Sequence, residues 1–233
     1  MEKRKIIGII GAMESETAEL KKRIVVESVV TISGIEFVKG TLGKTDVVIA
    51  KCGIGKVFAS ICAQTMIMKF APDLILNIGV CGALDEKLGI CDFVIGEQTV
   101  QYDMDTSAVG DPVGLISGIN KIYFDCDADA CKKLEDILKK KNVNYIKGVV
   151  ATGDRFISSS ELVHKIRKQF NAISGDMESG AIGHTCFINN VPFAVLRSIS
   201  DKGDEQSGED YAKSMMDAAN RVAEIITELC ENN

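Results

Sequence analysis

Tryptophan is absent from this 233-residue chain, and aromatic residues make up only 6% of it. A core must therefore be built mainly from aliphatic side chains, and 46% hydrophobic residues supply ample material for one. Histidine is almost as scarce. Neither of the two residues pairs with cysteines at zinc-ligand spacing, so no metal site is expected. The eight cysteines include no CxxC pair and mostly lie in apolar or helical stretches, where reduced, buried thiols are expected. Positive charge is in deficit: the formal net charge of −6 argues against the basic face that sequence-independent nucleic-acid binding needs. The longest apolar stretch, from Leu74 to Leu84, is broken by Asn77, Gly79 and Gly82 and cannot cross a bilayer as a regular helix. The start MEKRK-IIGII is basic and then apolar, but too short and glycine-broken for a signal sequence. These absences predict a soluble, cytoplasmic protein without metal, nucleic-acid or membrane partners.

What is present is a series of short, β-branched segments: 5–10, 34–42, 46–51, 73–79, 92–97, 144–152, 172–177 and 192–199. Helical patterns lie between several of them. Segment 56–69 joins two strands and stops before Pro72, which predicts a βαβ unit with parallel strands. A second such unit is expected over 172–199, with a helix at 178–189. Gly43-Lys44 between strand patterns predicts an antiparallel hairpin instead. Asp127 and Asp129 open a helix that Lys139 to Lys141 close. A last amphipathic helix is expected over 211–230, after a polar stretch, 201–210, that reads as a lid or a plain loop. An irregular stretch is expected at 99–120. The expected fold is α/β: one three-layer αβα domain over 1–233 with a central mixed sheet.

Three carboxylates stand just beyond apolar runs: Glu16, Glu178 and Asp201. In an open α/β sheet, ligands bind in the crevice beyond the carboxyl ends of the strands, so residues distant in sequence can meet there. Each acid alone could simply start a helix. Asp176 reads as such a cap. Glycine-rich turns follow two strands, at Cys52–Gly55 and Gly79–Gly82, and would let backbone approach a ligand. Gly8 and Gly11 do not make the G-x-G-x-x-G spacing of dinucleotide-binding turns, and Glu14 and Glu16 would repel a pyrophosphate there. C-G-I-G-K (52–56) falls short of a Walker pattern.

Six motifs occur in order: G-A-M-E-x-E (11–16), C-G-I-G-K (52–56), N-x-G-x-x-G (77–82), G-D-x-F-I (153–157), D-M-E (176–178) and R-x-I-S-D (197–201). Over nearly its whole length the chain resembles the 5′-methylthioadenosine/S-adenosylhomocysteine nucleosidases, which have the purine nucleoside phosphorylase fold. The resemblance implies cleavage of an adenine N-glycosidic bond in methylthioadenosine, adenosylhomocysteine or 5′-deoxyadenosine. It also implies a place in methionine salvage and methyl-cycle by-product removal, no cofactor, and a homodimer. Asp201 would serve adenine N7 as acid, with Ser200 orienting it. Glu178 would hold the ribose hydroxyls and stabilise the sugar cation, and Glu16 would activate water. Phe156 would stack on adenine and the Ile157 backbone would read its edge. Met13, Ile54 and Met177 would line the sugar and thioether pockets, with Val80, Gly82 and Arg197 also at the site. Val109, where Phe is common, would reach a neighbouring subunit's site. Val80 and Tyr102 replace a common Ser and a common His, which bears on the 5′ pocket.

Phosphorylases of this fold hold phosphate with arginines near the first turn and near the N-x-G-x-x-G position, where this chain carries Glu14, Ser15, Glu16 and Asn77. Arg197 lies within an apolar strand run. One cation beside two glutamates is poor provision for a dianion, which favours water as nucleophile. A phosphorylase and a non-catalytic nucleoside sensor are the competing readings. A sensor has no need of a leaving-group acid.

Overall fold

The alternation of side chains along each strand decides the layers. In the computed structural model, which describes residues 5–232, Ile7 and Ile9 of β1 (Ile6–Gly11) point to one core cluster and Ile10 to another. Val47 and Ile49 of β4 (Thr45–Lys51) likewise oppose Val48 and Ala50. The first cluster is covered by α1 (Glu14–Arg23), α3 (Ala128–Lys141) and α6 (Ser207–Asn232) through Leu20, Leu134, Leu138, Val222 and Ile226. The second is covered by α2 (Lys56–Phe70) and α5 (Ser179–Asn189) through Cys62, Met66, Ile182 and Cys186. A third, smaller cluster lies under α4 (Ser160–Phe170), through Ile166 and Phe170.

The remaining strands are β2 (Val25–Ile32), β3 (Ile35–Leu42), β5 (Leu74–Ala83), β6 (Phe93–Gln101), β7 (Tyr123–Asp125), β8 (Tyr145–Thr152), β9 (Ala172–Asp176) and β10 (Phe193–Asp201). The sheet is mixed and runs β10-β6-β8-β9-β5-β1-β4-β3-β2, with β7 paired to β6. β10 also pairs with β5, so β5, β10, β6, β8 and β9 form a closed ring of strands. The other half is an open, twisted extension ending at β2.

The Gly43-Lys44 turn joins β3 and β4 in antiparallel register, Leu42 opposite Thr45. β4 and β5 both run parallel to β1, which lies between them. The helix at 127–141 has Asp127 as its N-cap, accepting from Ala130 N at 2.8 Å.

The structure departs from expectation in several places. The unit over 172–199 is not a parallel βαβ: β9 runs antiparallel to β5, whereas β10 runs parallel to it. Ring closure is the reason, because β9 meets β5 only at Gly82–Gly175 and Ala83–Ser174. Segment 201–210 is a loop only over 202–206. Asp201 ends β10 and Ser207–Asp210 form the first turn of α6, so the final helix begins four residues early. The stretch 99–120 starts as strand, β6 reaching Gln101, and carries a 3-10 turn at Ser107–Val109. β2, β7 and α4 were not anticipated at all.

Gly79 stands opposite Arg197 in the β5–β10 ladder with φ of +144°. A Cβ there would lie 2.6 Å from Arg197 Nη1 and collide with the Glu16 carboxylate. Gly79→Ala combines backbone strain with a clash on buried charged groups, so it is expected to lose about 2–4 kcal/mol of stability. Urea unfolding, with the midpoint lowered and the slope unchanged, is the measurement.

Candidate active site

The ring of strands opens on a cavity of about 450 Å³, a size suited to a drug-sized or nucleoside-sized ligand. Glu16, Glu178 and Asp201 all line it, and all three are buried. The β1–α1 turn aims Glu16 inward from the first turn of α1. Its Oε2 accepts from Ala12 N (2.6 Å) and Met13 N (2.9 Å), and its Oε1 from Val80 N (3.0 Å). Burial raises its pKa, against the pull of Arg197 and these three amides.

Glu178 caps α5. Its Oε1 accepts from Gly55 N at 3.0 Å, and Arg197 Nη2 donates to its Oε2 at 3.4 Å. Gly55 adopts φ of +99°, which a glycine supplies without strain and which turns its N–H toward the carboxylate. Burial above all, with the charges of Asp176 and Glu16, outweighs Arg197 and pushes Glu178 up to about 7.

Asp201 sits at the end of β10, where the ladder to β5 is irregular between Ile199 and Asp201. Ser200 Oγ donates to its Oδ2 at 2.8 Å and Gly203 N to its Oδ1 at 3.0 Å. Gly82 makes room: a Cβ there would lie 2.9 Å from Oδ1. Burial raises the Asp201 pKa, opposed by these donors, and Asp210 adds to the rise. The segment after Asp201 is fastened to the start of α4. Ser159 N donates to Gly203 O at 2.8 Å, and Glu205 accepts from both Ser160 N (3.0 Å) and Ser160 Oγ (2.7 Å).

Behind the acids lies Arg197, 1% exposed. Its Nη2 is 2.7 Å from Asp176 Oδ2 and donates to Asn77 Oδ1 at 2.7 Å. Its Nη1 is 3.9 Å from Glu16 Oε1 and donates to the carbonyls of Ile78 and Val80 at 3.3 Å. Burial disfavours its charge, but Asp176, Glu178 and Glu16 outweigh that and raise its pKa.

Met13, Ile54, Val80, Gly82, Phe156, Ile157, Met177 and Ser200 also line the cavity. Arg197 does not: it is walled off from the cavity by the carboxylates it bonds. Val109, expected at a neighbouring subunit's site, is 82% exposed on its 3-10 turn, outside the cavity of its own chain. Tyr102 is likewise outside, packed over Gly153. Asp176 does more than cap. It accepts weakly from Ser179 N at 3.3 Å, but it also pairs with Arg197 and lines the cavity. Tyr211 was missed. It lines the cavity, meets the Phe156 ring edge-on at 5.8 Å, and donates from Oη to Met13 Sδ at 3.1 Å. Cys81 also lines the cavity, its thiol pKa raised mainly by burial, which keeps it neutral.

The sequence model of the Phosphorylase superfamily matches residues 6–231. A 5′-methylthioadenosine/S-adenosylhomocysteine nucleosidase of Staphylococcus haemolyticus is 36% identical over 225 residues, spanning 96% of this chain and 98% of the relative. The structure of the Neisseria meningitidis nucleosidase of the same name, in complex with methylthio-immucillin-A, is similar with a TM-score of 0.94 and 30% identity, covering 98% of this chain and 100% of that one. Futalosine hydrolase of Helicobacter pylori is similar at a TM-score of 0.94 and 28% identity, with 98% of each chain covered. With its fold, its six motifs and a relative this similar over almost the full length, the chain belongs to the phosphorylase superfamily and, within it, to the 5′-methylthioadenosine/S-adenosylhomocysteine nucleosidases.

Proposed function

We propose that this chain hydrolyses the N-glycosidic bond of 5′-methylthioadenosine and S-adenosylhomocysteine, releasing adenine and the 5-thioribose product. The observation that carries this reading is the state of Arg197. The cation among the acids is buried, with both Nη atoms engaged by Glu16, Asp176, Glu178 and Asn77. Its Nη donors are spent and its unpaired Nε is buried away from the cavity, and Glu16 stands where a phosphate would have to approach. Water is the nucleophile that suits a carboxylate-lined pocket.

Each acid has a separate task. Asp201, its pKa raised by burial, carries a proton to N7 of the base. The electrons of the C1′–N9 bond can then leave with a neutral adenine. Glu178 holds the ribose hydroxyls, and its charge favours the oxocarbenium-like sugar that remains. Glu16 takes the proton of the water that adds to C1′, a step helped by its raised pKa. Phe156 stacks on adenine and the Ile157 backbone reads its edge, while Ser200 orients Asp201. Met13, Ile54, Met177, Val80 and Tyr211 surround the sugar and its 5′ substituent. Gly82 keeps the space beside Asp201 open, and Arg197 acts from behind as a positioning residue.

The same reading includes a homodimer. Val57, Ile61 and Met68 share an exposed face of α2, and Phe187 and Ile188 of the adjoining α5 are also exposed. Lys56 at the start of α2 pairs with Asp103 at 2.7 Å, which ties the segment leading to Val109 to this side. A second copy would cover these apolar side chains and receive Val109. No helix among the described residues is long and apolar enough to cross a membrane. All eight cysteines are free, which supports a cytoplasmic location.

Incubation with methylthioadenosine in phosphate-free buffer is expected to yield adenine and free methylthioribose. Strict dependence on phosphate would overturn the hydrolytic reading. The same assay with futalosine as competitor tests the 5′ preference, and little inhibition is expected. Sedimentation should show a dimer, and Ile61→Glu should shift it toward monomer; a wild-type monomer sinks the interface. The raised pKa of Glu178 also sets a pH dependence. A carboxyl that prefers its proton in the folded state stabilises the fold fully below its usual value of 4.5, and that contribution is lost as pH rises through about 7. The melting temperature of the ligand-free protein should therefore fall between about pH 4.5 and 7 on this account. Glu178→Gln should flatten that fall, and parallel curves for the two proteins would refute the assignment.

A further inference from the structure

Asp201 has two firm donors, Gly203 N on Oδ1 and Ser200 Oγ on Oδ2. A second hydroxyl lies beside it. Ser207, the first residue of α6, is fully buried, and its neighbour Gly208 lines the cavity. The Ser207 backbone N–H is already spent on Asp204 O at 3.1 Å. Its Oγ completes no hydrogen bond of good geometry, although it lies near enough to the Asp201 carboxyl to act on it as a donor that favours the ionised form. A fully buried hydroxyl without a partner is uncommon and calls for a physical reason.

The protonation cycle of Asp201 supplies one. A protonated carboxyl spends one oxygen on its own O–H and has reduced acceptor capacity, and here each oxygen already receives a donor. Once the proton has gone to the base, the carboxylate offers about four lone-pair sites. Ser207 then has an acceptor beside it. We propose that Ser207 is a positioning residue for Asp201, unmatched while the acid is protonated and donating to the carboxylate that forms as adenine departs. A contact made late and absent early lowers the barrier without tightening ground-state binding. The inference rests on Asp201 being the leaving-group acid.

Other groups around Asp201 do not substitute for Ser207. Asp210, one turn along α6, adds negative charge and opposes ionisation. Lys202 turns its Nζ to Leu88 O, and Glu205 is bonded to Ser160. Tyr211 has its phenol on Met13 and stays neutral, its pKa raised by burial first and by Glu16, Asp201 and Glu178 in addition.

The test is steady-state hydrolysis of methylthioadenosine across pH by wild type, Ser207→Ala, Ser207→Cys and Asp201→Asn. A hydrogen bond to a charged group is expected to be worth about tenfold in kcat for Ser207→Ala, with KM within about twofold. Loss of a donor to the ionised form raises the Asp201 pKa. The decline of kcat on the basic side should therefore move up by about one pH unit, the same tenfold in other terms. Ser207→Cys fills the same buried space with a weaker donor. It should fall between the two, and it decides the matter if the alanine variant does not fold. Unchanged kcat and pH profile in the serine variants would overturn the proposal, as would a rise in KM with kcat preserved. Asp201→Asn separates the levels. If it is inactive while the Ser207 variants behave as wild type, only the role of Ser207 falls. If it turns over normally, the assignment of Asp201 falls first, and this proposal with it.

Discussion

One guanidinium buried among carboxylates organises this molecule. Arg197 comes from the middle of β10, yet it reaches residues from α1, the end of β9 and the start of α5. Taking charges out of water is costly unless they are paired and hydrogen-bonded, so such a cluster tolerates few rearrangements. Three carboxylates around one cation leave negative charge in excess; burial above all raises the pKa values of Glu16 and Glu178, and at Glu178 the charges of Asp176 and Glu16 add to it. The same excess is what a positively charged sugar centre would find favourable. Stability of the empty site and stabilisation of a passing cation are therefore opposed, and Arg197 sets the balance.

Chain geometry around this cluster depends on small residues in strained or crowded places. Gly79 leaves the volume that Arg197 and Glu16 occupy, Gly82 leaves that of Asp201, and Gly55 turns an amide toward Glu178. The closed ring of five strands brings these positions to one mouth. An open parallel sheet would have placed β9 and β10 in the same direction, and their acids would then have approached the cavity differently.

Much of this was legible from residue order. Short β-branched runs located β1, β3, β4, β5, β6, β8, β9 and β10, and Asp127 with the lysines at 139–141 marked α3. The acids at strand ends and the motif order located the cavity wall. Other features left no local signal. β2 is an edge strand with Val25, Val26 and Val29 exposed, so it lacks the half-buried alternation that betrays a strand. The first turn of α6 reads as loop because Gly208 and nearby acids mask the helical period, and Tyr211, though within the expected helix, carries no motif that marks it for the cavity. Arg197 looked like a ligand contact because sequence shows that a charge is in a strand, not which neighbours enclose it. The direction of β9 depends on ring closure, a property of the whole sheet.

The fastening between α4 and the segment after Asp201 has an evolutionary consequence. Main-chain atoms of Ser159, Ser160 and Gly203, with the Glu205 carboxylate, join the stretch that carries Phe156 and Ile157 to the stretch that carries Asp201. On the proposed roles, base recognition and base protonation would be inherited as one unit, insensitive to most side-chain drift. By contrast, Met13 and Tyr211 meet through a thioether and a phenol, atoms that single substitutions exchange freely. A lineage on this scaffold can therefore trade one 5′ appendage for another while its chemistry stays fixed. A futalosine hydrolase and a methylthioadenosine nucleosidase sharing one fold is the pattern such an asymmetry would leave.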